Sequence, residues 1–139
     1  MTYVCRCPEN VKFSPLSTKH LDEIYSSWVT NGGYTFEDLK MWYELDKKYA
    51  IGIFCKITGA LLSRCLLSYA GWISVLQTVE SVRGKGYAKL LLKKVSKMMA
   101  EDSVEPLIYT RDGNETAWAV IRGTNFKHTH DFFTLVCKQ

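Results

Sequence analysis

The stretch SVRGKGYAKLLLKK, from Ser81 to Lys94, sets a glycine on either side of a lysine and runs straight into a helical pattern. Ala88, Leu91, Leu92, Val95, Met98 and Met99 fall on one helical face. Lys89, Lys93, Lys94 and Lys97 fall elsewhere, so the spacing predicts an amphipathic helix. A glycine turn at a helix start gathers backbone N–H groups that the helix cannot use, at the positive end of its dipole. Such a turn suits a phosphate, and its spacing decides whose phosphate it is.

Two common phosphate loops fail. A triphosphate loop needs G-x-x-x-x-G-K-[ST]; with Gly84-Lys85 as its G-K, Val79 stands at the first glycine and Gly86 at the hydroxyl position. A dinucleotide fingerprint through Gly84 and Gly86 puts Lys89 where a third small residue belongs.

Working outward, the preceding residues read as a meander. Ala50 to Ile57 is strand-like, Thr58-Gly59 a turn, Ala60 to Tyr69 a returning strand, Ala70-Gly71 a second turn and Trp72 to Val79 a third strand. Upstream, Val11 to Leu16 reads as a short strand. Leu21, Ile24, Tyr25 and Trp28 recur at helical spacing until Asn31-Gly32-Gly33. Thr35 and Asp38 form a capping box before a second helix carrying Leu39, Trp42 and Tyr43. Downstream, Pro106 leads into a strand from Leu107 to Thr110, Asn114 caps a helix with Ala117, Val120 and Ile121, and Phe132 to Cys137 reads as a last strand. The order β-α-α-β-β-β-α-β-α-β predicts one mixed α/β (α+β) domain over residues 1–139, its sheet part antiparallel and part parallel through a crossover.

Composition bounds the rest. The chain has 139 residues, 47% hydrophobic and 23% charged, with a net charge of +4. That is enough chain for one real core, and a mild positive excess that suits an anionic small ligand. The lysines after the loop read as a solvated helix face, so nucleic-acid binding is not expected. No apolar run has the length to span a bilayer and no leader pattern opens the chain. A cytoplasmic protein without membrane contact is expected. Of the five cysteines, Cys5 and Cys7 are not spaced C-x-x-C and no zinc spacing recurs, so no metal is expected.

The glycine motif that does fit is Arg-x-x-Gly-x-Gly/Ala, here Arg83-Gly84-Lys85-Gly86-Tyr87-Ala88. It resembles the pyrophosphate-binding motif of the GCN5-related N-acetyltransferase superfamily. Within it, TGALLSRCLLSYAGWISVLQTVESVRGKGYAKLL and PLIYTRDGNETAWAVIRGTNF are most similar to the C-terminal half of the glycine N-acyltransferase-like proteins. The resemblance implies a single domain of that fold that binds acetyl-CoA or another acyl-CoA as co-substrate, as a monomer or homodimer. By position, Leu76, Gln77 and Thr78 would line a splayed strand along the pantetheine arm. Arg83, Gly84, Lys85, Gly86, Tyr87, Ala88 and Lys89 would hold the pyrophosphate, and Asn114 would reach the pantetheine from the next helix, unless it serves only as an N-cap.

The sequence departs from its relatives at both usual proton handlers. Trp72 stands where several members carry a glutamate base, and Ile121 where many carry a tyrosine acid. The catalytic residues are therefore unknown; Tyr69, Glu80, Tyr109 and Thr110 are the nearby substitutes, with His128 and His130 near the last strand. The implied activity is acyl transfer to a primary amine, a small one such as glycine or another amino acid over an aromatic wall of Trp28, Tyr34, Phe36 and Trp42. Protein lysine or N-terminal acetylation and a non-catalytic acyl-CoA-binding module are the alternatives.

Overall fold

A computed structural model describes residues 10–28, 33–68, 70–110, 113–129 and 131. Strand β1 is Val11–Pro15. Helix α1 is Leu21–Ser26, entered through a 3-10 turn at Thr18–His20, and helix α2 is Phe36–Leu45. The α2 start is the expected capping box: Thr35 Oγ1 accepts from the Asp38 amide at 3.2 Å, and Asp38 Oδ2 accepts from the Thr35 amide at 2.8 Å. The meander follows as β2 Ile51–Cys55, β3 Leu61–Leu67 and β4 Ile73–Thr78. Helix α3, Tyr87–Glu101, and helix α4, Glu115–Arg122, complete the described elements.

The sheet runs β1-β2-β3-β4 with every pair antiparallel. Each face buries its own cluster. Ile51, Ile53, Cys65, Leu67 and Ile73 pack with Leu91, Leu92, Val95 and Met99 of α3. On the other face Phe54, Leu61, Leu66 and Val75 pack with Leu21, Ile24, Leu39 and Trp42 of α1 and α2. That is the two-sided burial an α/β layer requires.

The expected parallel strand at Leu107–Thr110 is a correction. Among the described residues it amounts to one parallel bridge, Ile73 to Ile108, with the Ile73 amide donating to the Leu107 carbonyl at 2.8 Å. Two causes act together. Pro106 brings no N–H to that edge. In β4, Leu67 pairs with Ile73 but Leu66 pairs with Val75, so Ser74 is an extra residue. A bulge bends and twists its strand, which carries the rest of β4 away. The last expected strand, Phe132 to Cys137, lies outside the described residues.

Candidate functional site

The bulge at Ser74 decides which backbone groups β4 offers. The Val79 amide donates to the Leu62 carbonyl at 2.9 Å across the β3–β4 register. Antiparallel alternation then turns Gln77 and Val75 toward β3, and Leu76 and Thr78 toward the opposite edge. Ile73 points the same way as Leu76 because the extra residue intervenes, so beyond Ile73 the outer edge of β4 is open. Among the described residues neither the Leu76 nor the Thr78 amide has a backbone partner. Of the three residues expected along this strand, two therefore face the edge. Gln77 instead sends its side chain beneath α1, where its Oε1 accepts from Arg64 Nε at 2.9 Å.

The open edge leads into the glycine turn. Gly84 and Gly86 have φ of +84° and +81°, and an added Cβ would meet nothing within 4 Å at either. Their need for glycine is conformational, not spatial. The Arg83 amide donates to the Glu80 carbonyl at 3.3 Å, and the Leu90 amide makes the first helical bond, to Gly86 at 3.1 Å. Among the described residues the amides between them, 84–89, have no partner. They stand at the start of a 15-residue helix, where the dipole adds positive character.

The cationic side chains of the motif divide. Arg83 turns back, its Nε donating to the Thr78 carbonyl at 3.1 Å, so it braces the end of β4. Lys89 lies over Gly123 at the end of α4, closely enough to leave no room for a Cβ there. Lys85 is exposed. Tyr87 and Ala88 are half-buried in the first helical turn. Asn114 caps α4, its Oδ1 accepting from the Ala117 amide at 3.2 Å.

Around the thioester end expected from the resemblance, Trp72 and Tyr109 meet edge to face, 5.6 Å between ring centres. Ile121 is buried. Thr110 is half-buried and Glu80 is exposed. His128 pairs with Asp131 at 2.8 Å on the surface and packs its ring on Trp118. Tyr69 and His130 lie outside the described residues.

One group was not singled out from sequence. Arg64, 3% exposed, is the one charged residue among the buried ones described. Besides Gln77 it contacts Ser27 Oγ through Nη2 and Glu23 Oε1 through Nη1 at 3.3 Å. Burial lowers its pKa and the Glu23 carboxylate raises it again. Its neighbour Ser63 donates to the Gln77 carbonyl at 2.9 Å and lies 3.0 Å from Thr78 Oγ1. The signal was there: a serine and an arginine interrupt the apolar run ALLSRCLLSY. Across the strand, burial pushes the Cys65 thiol up to about 12, which leaves it inert. Among the described residues no helix is long and apolar enough to cross a membrane, and no three His, Cys, Asp or Glu residues group as metal ligands.

Several solved structures share this arrangement. A Drosophila protein superposes with a TM-score of 0.77 at 16% identity, over 89% of this chain and 41% of its own. The structure titled NatC complex bound to Gag peptide and CoA gives 0.69 at 14%, over 87% of each chain. A predicted acetyltransferase with acetyl-CoA from Clostridium acetobutylicum gives 0.67 at 12%, over 91% of this chain and 96% of its own. The present chain thus spans under half the length of the Drosophila protein. At these identities the likeness is one of fold alone: the chain has an α/β fold like that of the GCN5-related N-acetyltransferases. A family model described as FR47-like protein matches residues 50–133, and the chain belongs to that family. No curated protein matches it.

Proposed function

We propose that the chain is an acyl-CoA-dependent N-acyltransferase that moves an acetyl or acyl group to a primary amine, a small one such as glycine or another amino acid. The observation that carries this reading is the run of unspent amides at 84–89 continuing into the unspent Leu76 and Thr78 amides of an open strand edge. A diphosphate needs convergent N–H donors and a pantetheine amide needs a strand edge. The acetyl-CoA held by the Clostridium structure supports the same co-substrate.

The chemistry then runs on the chain's own groups. The acceptor must reach the thioester as a neutral amine, because an ammonium has no lone pair to attack with. Trp72 cannot take that proton, so a water relay to solvent serves. Attack places negative charge on the carbonyl oxygen, and an N–H of the open edge, that of Leu76 or Thr78, is the donor that meets it. Collapse expels the CoA thiolate, which leaves without a dedicated acid at Ile121. Holding amine and thioester together lowers the remaining barrier.

The small acceptor is supported by the aromatic wall. Trp42 meets Trp28 and Tyr34 edge-on at 5.7 and 4.7 Å. Ser27, next to Trp28, contacts the Gln77 side chain, so the helix that carries part of the wall is tied to β4. A peptide acceptor is the second reading, favoured by the Gag peptide in the NatC structure. Calorimetry with acetyl-CoA, followed by thiol release across glycine, other small amines and an N-terminal peptide, tests both. Micromolar binding with release for small amines is expected. Binding without release for any amine makes the chain a CoA-binding module, and no binding removes the reading.

A further inference from the structure

Past Ile73 strand β4 has lost its outer partner, yet the acyl-transfer reading asks its Thr78 amide to keep a fixed aim. A strand held on one side only is free to twist unless something braces it. Two adjacent residues of β3 do so. Ser63, fully buried, holds the Gln77 carbonyl at 2.9 Å and the Thr78 hydroxyl at 3.0 Å. Arg64 holds the Gln77 side chain at 2.9 Å and reaches two residues of α1, Glu23 and Ser27. Gln77 Nε2 closes the ring on the Ile24 carbonyl at 3.5 Å.

Stability alone is a poor reason for Arg64. Apart from Arg64 and its own partners, the cluster on that face is built from apolar residues such as Leu61, Leu66 and Val75. Its ionic partner Glu23 lies more than half exposed, at 54%, where an ion pair is worth little. What the guanidinium offers and a methionine cannot is a planar fork that fixes a strand side chain and a helix end in one geometry. We propose that Arg64, seconded by Ser63, is a positioning residue: it locks the open half of β4 to α1 and so aims the open-edge amides on either side of Gln77, and the Trp28 wall, at the reacting carbonyl. It touches neither substrate. This rests on the acyltransferase reading above.

The test uses Arg64→Met, Arg64→Lys and Ser63→Ala in the full chain, with acetyl-CoA and the best amine of the panel. The melting temperature of Arg64→Met is expected to fall modestly, because Gln77 loses a donor while the exposed Glu23 is taken up by water. Its acetyl-CoA affinity is expected to fall only a few-fold, because the loop amides that take the diphosphate are untouched while the Leu76 and Thr78 edge is loosened. Its kcat is expected to fall at least tenfold, more than KM for acetyl-CoA rises, and Arg64→Lys is expected to recover only part of that. Backbone 15N relaxation at residues 76–78 is expected to show new motion in Arg64→Met while α3 stays rigid. A kcat loss that merely tracks a fall in melting temperature overturns the proposal, as do unchanged relaxation or equal losses in acetyl-CoA binding. Wild-type protein that binds no acetyl-CoA removes the catalytic reading instead, and the relaxation result still reports whether the brace exists.

Discussion

Ile73 and Ile108 face each other across a parallel bridge, and one extra residue, Ser74, separates that bridge from a strand edge whose Leu76 and Thr78 amides have no backbone partner among the described residues. The open edge is thus made by a register shift, not by a gap in packing: Ile73 and Val75 are both buried, but on opposite faces of the sheet. Without the extra residue both would point the same way and one apolar side chain would lose its core.

Because the Thr78 amide points away from β3, it can be removed without breaking the ladder. Proline is tolerated where a strand's N–H is not needed. Thr78→Pro is expected to fold and to bind acetyl-CoA, but to lose roughly 10²–10³ in kcat, as removal of one oxyanion donor does elsewhere. Thr78→Val, which deletes only the hydroxyl near Ser63, is expected to lose far less. Circular dichroism melts and steady-state thiol release decide it; equal rates for the two variants place the oxyanion elsewhere.

Gly86 has φ +81° and open space around it. Gly86→Ala therefore meets no steric wall, only the left-handed backbone penalty of about 1–2 kcal/mol. For a domain of this size that lowers the melting temperature by roughly 3–8 °C. If the amides at 84–89 hold the pyrophosphate, acetyl-CoA affinity falls as well, by more than the stability loss explains, since relaxing the turn re-aims several donors at once. Asparagine, which tolerates left-handed backbone better, is expected to lie between glycine and alanine on both scales.

With Trp72 at the usual base position, no carboxylate titration should appear in the rate. The expected profile of log kcat/KM against pH rises with unit slope through the acidic and neutral range and levels off only near the pKa of the acceptor amine. A plateau reached near pH 5–7 would reveal a protein base in place of the water relay. Measuring the profile for two amines of different basicity separates the cases, because the amine-controlled plateau moves with the amine.

How much of this was legible beforehand depended on the distance between partners. The Thr35–Asp38 box and the Gly86 turn could be read because their parts lie within a few residues of each other. The meander was legible from alternating runs and glycine turns. The bulge was not: nothing local marks Ser74 as supernumerary, since its role follows from which core Ile73 and Val75 must each join. The Arg64 cluster joins residues 41, 37 and 13 positions apart, so only the fold assembles it. The parallel strand was overread, because an apolar run after Pro106 looks the same whether β4 stays alongside or bends away.

Away from the cleft, Tyr49 donates to Asp102 at 2.6 Å, and Lys48 pairs with the same carboxylate at 2.6 Å. The bond to Asp102 is the main reason the Tyr49 pKa rises to about 12, and Lys48 is the first reason that of Asp102 falls. A phenol whose neutral form is favoured by folding contributes stability that is complete below its unfolded pKa of about 10 and fades as pH climbs through the folded value. A carboxylate with a depressed folded pKa contributes above its unfolded value of about 3.9 and loses that contribution as pH falls through the folded one. Tyr49→Phe is therefore expected to be less stable than wild type at pH 7, with the deficit shrinking from pH 10 upward. Asp102→Asn should converge on wild type in acid. Melts across pH 3–11 check both limbs.

Asn114 offers the clearest separation of a structural role from a binding one. Its Oδ1 is committed to the Ala117 amide, which leaves Nδ2 as the group able to reach a pantetheine carbonyl. Asn114→Ala removes both and is expected to cost about 1 kcal/mol through the lost cap. Asn114→Asp keeps the cap, and its charge suits the helix start, so stability is expected to hold. If Nδ2 does contact the pantetheine, acetyl-CoA affinity drops in Asp as in Ala despite the difference in stability. If affinity follows stability instead, with Asp like wild type and Ala weaker, the residue is a cap alone, and the pantetheine is held by the Leu76 and Thr78 edge without help from α4.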